Sequence, residues 1–533
     1  MSGPDGKTQA ERLLSLALAA ATELWATPEG QPCITFPVAA HREHHLLRTG
    51  QVRDWLSRQY YEDEGRAPSS QALADALGVL RGKALYEGSR YELSVRYAAH
   101  RGATYLDLGD AKWRAVKIDR DGWRIVADPP VRFRRPRGLL ALPEPGRDGD
   151  LGALRALLNV DYHGWRLICG WLVGTMAPTG PYPLLSLYGE AGSAKSTAAR
   201  LLRELTDPNI APLRSEPRGE RDLAIAAGNG RILALDNVSR ISTALSDALC
   251  RLATGGGFAT RELYSDSEEL LLHYCRPAIV TGITEVITRG DLADRASVVT
   301  LLPIADHQRR TEAELAARWA EVQPIALGGL LDATVTALRR LPEVELPRLP
   351  RLADHARWVA AAEPALGWES DAYLAAYGEA RILANEAALE ESPLTEPLRE
   401  LAEEGFIGSA TELLAALSKL LTGTASPRGS WPSGPRELSG ALRRLAPSLR
   451  TVGIEVAFPR RGSRRRPIVV QKIDGDERQN RHTVTRGDRP DDADDGPNAA
   501  HTARSAPVPA ASPAEEAGFE RLADKFDLRG EPG

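Results

Sequence analysis

The sequence predicts an α/β protein whose centre, from about residue 150 to 305, is a parallel sheet built around a phosphate-binding loop. Three observations predict it. Short apolar runs alternate there with helical stretches, the pattern of a parallel α/β sheet. "LLSLYGEAGSAKSTAARLL" (184–202) reads as a buried strand, a Gly/Ser loop and the start of a helix. It misses the pattern G-x-x-x-x-G-K-[ST] by one residue, because Ala194 stands where the second glycine belongs. Farther on, "RILALDNVSR" is an apolar strand that ends in Asp236.

Residues 1–145 read as an accessory α+β domain. Residues 1 to about 26 have the pattern of one amphipathic helix, and their acidic residues argue against a signal peptide. "HLLRTGQVRDWLSRQYYEDEG" and "SSQALADALGVLRGKALYE" are helical in pattern, the second opened by a Ser N-cap. Period-two alternation from Tyr91 to Pro136, with turns at Arg101-Gly102, Leu108-Gly109 and Asp121-Gly122, predicts a small antiparallel sheet. "PEPGRDGDLG" (143–152) reads as a linker. Beyond the core, residues 306–390 read as a helical lid or connector. Residues 391–473 read as helices followed by two strands, "TVGIEVAF" and "RPIVVQKI". Residues 474–533 are too polar, and too rich in Pro, Ala and Asp, to bury a core, so a disordered tail is expected, with a short helix at 517–528.

Composition narrows the class. At 533 residues, 43% hydrophobic and 26% charged, the chain is an ordinary globular protein, of roughly three to four domains by length. No apolar run approaches the roughly 20 residues that span a bilayer, so a cytoplasmic protein without membrane contact is expected. Cys33, Cys169, Cys250 and Cys275 form no C-x-x-C pair, which argues against a zinc ribbon or a disulfide framework. His41, His44 and His45 have no Cys or carboxylate at ligand spacing, so an exposed loop or helix face is favoured over a metal site.

The loop specifies its own chemistry. Backbone N–H groups over Gly189, Glu190, Ala191, Gly192, Ser193 and Ala194, with the helix N-terminus behind them, would face the phosphates of ATP. Lys195 would bridge the outer phosphates, Ser196 would hold Mg²⁺, and Thr197 continues the helix. Lys195 is the only lysine between Lys117 and Lys419 in a chain that elsewhere uses arginine. A compact ammonium fits among phosphates where a planar guanidinium does not. Alanine is compatible with right-handed φ/ψ, so Ala194 is expected to take that conformation and to leave ATP binding intact. Asp236 occupies the position of a second Mg²⁺ ligand. Asn237 follows it, where many such ATPases carry the carboxylate that activates water; Glu190 or Asp236 itself would have to position it.

"GEAGSAKST", "LALDNVS", "SDALCRLATGGGFATRELYSD", "RPAIVTGI" and "DLADRA", in that order, resemble the helicase half of phage, plasmid and integrative-element primase–helicase proteins. That half is similar to superfamily 3 helicases and AAA+ ATPases. The resemblance covers roughly 150–340, and residues 391–473 also look like the family's winged-helix region. It implies an AAA+-like P-loop core and a DNA translocase or helicase that assembles as a homo-oligomeric ring, such as a hexamer. By the same resemblance Lys195, Ser196 and Thr197 would hold nucleotide and metal, and Thr281, ending a strand between the other two, would touch the attacking water or the γ-phosphate. Arg295 would be a finger reaching a neighbouring subunit's nucleotide, or else a partner of Asp291 or Asp294. Residues 253–269 would form a pore-side hairpin or a surface loop, with Arg261 a candidate DNA contact. Residues 1–145 lack a clustered acidic motif of the primase kind, so no primase is expected.

DNA is the expected partner of the C-terminal region as well. Between Trp431 and Ile473 there are nine arginines and one lysine against two glutamates. Arg443 and Arg444 lie on a helix, and Arg460, Arg461, Arg464, Arg465 and Arg466 lie on the loop between the two strands. A helix for the major groove and a basic wing for phosphates is the winged-helix arrangement. Two rival readings remain open: a nucleotide-switched DNA-binding initiator or regulator that does not unwind, and a defence or signalling P-loop ATPase.

Overall fold

The structure is a computed structural model that describes residues 7–261, 269–283, 287, 290–420, 431–458 and 467–473. The chain forms two compact units, residues 1–380 and 381–533. The first opens with α1 (Gln9–Ala20), started by a capping box of Thr8 and Glu11. This helix is shorter than its pattern suggests. At Ala21 the backbone turns extended, and Glu23–Ala26 becomes strand β1. Pairing decides the matter: β1 lies antiparallel to β2 (Pro32–Val38), where Trp25 is fully buried and donates Nε1–H to Thr35 Oγ1 at 2.9 Å.

β3 (His41–Leu46) pairs with β2, so His41, His44 and His45 stand on a strand and not on a loop or helix face. His41 and His45 share Glu43, at 3.1 and 2.8 Å. No cluster of three metal-ligating side chains occurs among the described residues. α2 (Gly50–Glu64) and α3 (Ser70–Tyr86) cover the sheet, which β4 (Ser89–Arg90) completes in the order β3-β2-β1-β4. Next come β5 (Leu93–Ser94) and an antiparallel meander of β6 (Tyr97–His100), β7 (Ala103–Asp107), β8 (Ala115–Asp119) and β9 (Gly122–Val126). β10 (Arg132–Phe133) then pairs parallel with β5.

The centre of this unit runs α4 (Tyr162–Thr175), β11 (Leu184–Tyr188), α5 (Lys195–Glu204), α6 (Glu220–Gly228), β12 (Leu233–Leu235) and α7 (Thr243–Thr254). An antiparallel hairpin follows, β13 (Gly256–Arg261) and β14 (Glu269–Tyr274), then β15 (Ala278–Gly282), α8 (Gly290–Ala293) and β16 (Ala296–Thr300). β12, β15, β11 and β16, in that spatial order, make a wholly parallel sheet. Parallel strands end at one common edge, so the loops after β11, β12 and β15 converge there. Because β15 lies between β11 and β12, Thr281 is carried to the side of Asp236.

α9 (Glu312–Arg340), α10 (Ala353–Ala362) and α11 (Ala372–Glu391) follow. Residues 143–152, read from sequence as a linker, are bonded to α9. Gly146 N donates to Pro324 O at 2.8 Å and Asp150 N donates to Ile325 O at 3.1 Å. The approach is backbone on backbone: a Cβ placed on Gly328 would lie 2.0 Å from Gly146 O, and one on Gly149 2.1 Å from Gly329 N. No helix among the described residues is long and apolar enough to cross a membrane.

The second unit runs α12 (Thr395–Glu404), β17 (Phe406–Gly408), α13 (Ala410–Leu420), α14 (Pro435–Thr451), β18 (Ile454–Ala457) and β19 (Ile468–Lys472). Its three strands form an antiparallel sheet in the order β17-β19-β18. α14 buries Leu438, Leu442 and Leu449 and leaves Arg436, Arg443 and Arg444 exposed on its other side.

The glycine contact with α9 can be tested directly. Gly328→Ala drives Cβ into a backbone carbonyl that cannot rotate away, so it should cost about 3 kcal/mol. Gly78→Ala, on α3 where nothing lies within 4 Å, should be neutral or stabilising by roughly 0.5–1 kcal/mol. Urea unfolding of both variants checks this; a Gly328→Ala variant as stable as the parent would show that residues 143–152 are not held against the helix.

Candidate functional site

The loop after β11 is shaped by three residues with positive φ: Gly189 (153°), Gly192 (83°) and Ala194 (65°). At Gly189 a Cβ would lie 2.7 Å from Leu301 O, so glycine is required by space as well as by conformation. Ala194 corrects the expectation from sequence. It is left-handed, φ 65° and ψ 29°, the very conformation the missing glycine would take. Cβ pays there for its closeness to the following carbonyl, roughly 1–2 kcal/mol.

α5 begins at Lys195, and its cap residue Ala194 offers no side-chain acceptor, so the first-turn N–H groups have no cap. Lys195 Nζ donates to Gly189 O at 2.8 Å and to Glu190 O at 2.7 Å, with Ser193 Oγ at 3.4 Å. All three partners are neutral, and no carboxylate pairs with Lys195 among the described residues. A cation at an uncapped helix N-terminus is complementary to an anion. Glu190 and Ala191 are exposed on the loop, and Thr197 is half-buried on the first turn of α5.

Asp236, just past β12, is the centre of the polar network. Its Oδ1 accepts from Ser196 Oγ at 2.8 Å and from Thr281 Oγ1 at 2.6 Å. Thr281 is buried, and its hydroxyl also accepts from Asn237 N at 2.9 Å. The resemblance set Thr281 toward water or phosphate; in this structure it holds the carboxylate. Asn237 is exposed and left-handed at φ 54°, a conformation asparagine tolerates. An amide there cannot accept a proton as a carboxylate would.

Ser196 Oγ and Asp236 Oδ1 are two hard oxygens 2.8 Å apart at the helix start. That set fits Mg²⁺, which takes one or two protein oxygens and completes its shell with phosphate oxygens and water.

Arg295 does not join the group. Its Nη1 donates to Asp291 O at 2.6 Å and lies 3.8 Å from Cys250 Sγ, so the guanidinium is engaged within its own chain. Its partner in this structure is a backbone carbonyl and not the Asp291 carboxylate. Arg261 ends β13, and residues 262–268 of the same segment lie outside the described residues. Arg443 packs over the Phe458 ring at 4.5 Å, and Arg444 is exposed. Arg460, Arg461, Arg464, Arg465 and Arg466 lie outside the described residues, as does the tail.

One residue escaped the sequence reading. Arg309, just ahead of α9, brings its Nη2 to 3.5 Å from where a Cβ on Gly192 would stand. It is 57% exposed and ion-paired with Asp306 at 3.2 Å. No motif spacing marks it. Beside it, Arg200 Nη2 donates to Glu312 Oε2 at 2.9 Å and ties α5 to the start of α9.

Residues 154–381 match the family model of the actinomycete integrative conjugative element replication protein, and residues 394–483 match that of the RepA C-terminal domain of the same elements. None of the curated proteins matches the chain. Among solved structures, the A-form apo structure of the NrS-1 C-terminal region aligns with TM-score 0.38 at 12% identity, over 87% of this chain and 99% of that one. A second apo structure of the same region aligns with TM-score 0.38 at 13% identity, over 88% and 100%.

The conformation of Ala194 sets the sign of one substitution. Ala194→Gly relieves the left-handed penalty and loses some chain stiffness in the unfolded state, so it should stabilise by about 0.5–1 kcal/mol. Right-handed backbone would make the same substitution destabilising by a similar amount. Thermal or urea unfolding of this variant distinguishes the two.

Proposed function

We propose that this chain, whose residues 154–381 and 394–483 are those of the actinomycete integrative conjugative element replication protein family, is an ATP-driven motor on DNA. The observation that carries the reading is the convergence of Lys195, Ser196, Asp236 and Thr281 at one edge of a parallel sheet. On this reading the sheet is an AAA+-like P-loop core. The helix–strand–helix–helix–strand–strand order of the second unit is a winged helix, and α14 presents its exposed arginines to DNA.

Each residue has a share in this chemistry. Lys195 would exchange the Gly189 and Glu190 carbonyls for the outer phosphates. Ser196 and Asp236 would hold Mg²⁺, which supplies charge to offset that building up on the phosphates. Thr281 orients Asp236 through their hydrogen bond and fixes Asn237 N behind it. Arg309 would meet the phosphates from the side of α9, within the same chain. Arg295 would serve a neighbouring copy in a ring only after releasing Asp291 O. Asn237 favours a second reading, in which ATP is bound as an assembly switch and turned over slowly or not at all.

ATP hydrolysis by the parent, Lys195→Ala and Arg309→Ala, with and without single-stranded DNA, tests this. The motor predicts DNA-stimulated turnover, lost by about 10²-fold or more in both variants. Unwinding of a forked duplex then separates a helicase from a translocase. ATP binding without turnover would establish the switch, and absence of nucleotide binding would overturn both readings.

A further inference from the structure

A second electropositive site lies apart from the phosphate loop. A cavity of about 540 Å³ opens in the first unit, lined by Gly50 and Gln51 from α2, by Arg134, Arg135 and Arg137 from the segment that follows β10, and by Arg214. No Asp or Glu side chain lines it.

Its arginines differ in how their charge is met. Arg135 is neutralised by Asp107, with Nε and Nη2 donating to the two carboxylate oxygens at 2.9 and 2.6 Å. Arg134 donates only to neutral acceptors, Asn229 Oδ1 at 3.2 Å and Gly228 O. Burial, with the nearby Arg48 cation also opposing its charge, draws Arg134 below the usual arginine range. Arg137 is exposed, its Nη2 3.6 Å from where a Cβ on Gly50 would stand. Arg214 is half-buried, and its Nε is a buried donor with no hydrogen-bond partner. No carboxylate pairs with Arg137 or Arg214 among the described residues.

The helix facing them adds to the same sign. Thr49, the cap residue of α2, gives its hydroxyl to Leu46 O at 2.8 Å and leaves the first turn uncapped. Like charges that line one cavity repel, and desolvating them is costly unless an anion is shared. Another arginine of the same unit shows full pairing. Arg96, fully buried, donates to Asp207 Oδ1, Asp107 O, Leu140 O and Pro208 O.

We propose that this cavity binds a phosphate ester, and that its occupant is the phosphodiester backbone of a nucleic-acid strand. The lining supplies cations and N–H donors. His45, its one aromatic member, is occupied by Glu43 at 2.8 Å and stacked on Phe36, so the cavity reads phosphate and not base. At the rim Ile210 is 75% exposed and offers an apolar contact to sugar. The choice of nucleic acid rests on the functional reading above, while the anion site does not. The site also has a route to Asp236. Arg214 N donates to Ala234 O at 2.9 Å, and Asp236 N donates to Arg214 O at 2.8 Å, so the arginine that walls the cavity is bonded to the backbone of the metal-site carboxylate.

Anisotropy of a labelled oligothymidylate, titrated with the full chain across a salt series, tests the site. Arg137→Glu reverses an exposed charge. Gln51→Glu puts a carboxylate on the first turn of α2, where it favours the helix, so loss of folding is no explanation for its effect. Each should weaken binding about tenfold and lower the salt slope by about one, with DNA-independent ATP turnover unchanged. Unchanged oligonucleotide affinity in both variants overturns the proposal. If thermal stabilisation by inorganic phosphate or by a mononucleotide is lost while oligonucleotide binding holds, the occupant is a free phosphate ester and the strand is overturned. A chain that turns over no ATP, yet loses oligonucleotide in both variants, keeps this inference and overturns the motor.

Discussion

One carboxylate oxygen organises the edge of the parallel sheet. Asp236 Oδ1 takes a hydroxyl from the helix that follows β11 and another from the end of β15. The backbone N–H of Asp236 is bonded to Arg214 O, and that of Asn237 to the Thr281 hydroxyl. β12, β15 and the start of α5 are thus tied together at a single atom. A cation that takes Oδ1 must compete with both hydroxyls, so occupancy of the loop and the position of β15 are linked by a shared acceptor.

How much of this was legible in the sequence follows from the range of each interaction. The strand–loop–helix around Lys195 could be read because an apolar strand, a Gly/Ser loop and a helix start each carry a local residue signature. The conformation of Ala194 could not, because propensity argues against left-handed alanine. The tight seat of Gly189 against Leu301 O and the Lys195 bonds to two loop carbonyls impose the path from outside the residue. The first strand was hidden for the same reason. "ELWA" continues a helical period, and only the distant Thr35 and β2 turn it into strand. Residues 143–152 carry the Gly and Pro of a linker, yet the glycines are there so that two backbones can touch, as Gly149 does at Gly328 and Gly329.

Arginine roles were the least legible. A guanidinium bonded to a backbone carbonyl leaves no complementary residue in the sequence, so nothing near Arg295 announces Asp291 O as its partner. Arg309 reaches Gly192 from more than a hundred residues away in the chain, and Arg137 and Arg214 meet across a cavity formed by separate segments. Charge counts see these residues, but only packing tells which are neutralised.

That distinction also explains why the one lysine of the core is a lysine. Arg96 works by spreading donors in a plane, reaching a carboxylate and three carbonyls that lie on different segments. Lys195 does the reverse and gathers acceptors about a point. Two successive carbonyls of one tight loop, at 2.8 and 2.7 Å, converge on its Nζ, with the Ser193 hydroxyl at 3.4 Å. A planar fork cannot turn its donors onto neighbours that close together without displacing the loop. The ammonium can, because its three donors rotate freely about one bond. The composition of the chain favours arginine wherever reach and planarity serve, and the geometry of this loop is where they do not.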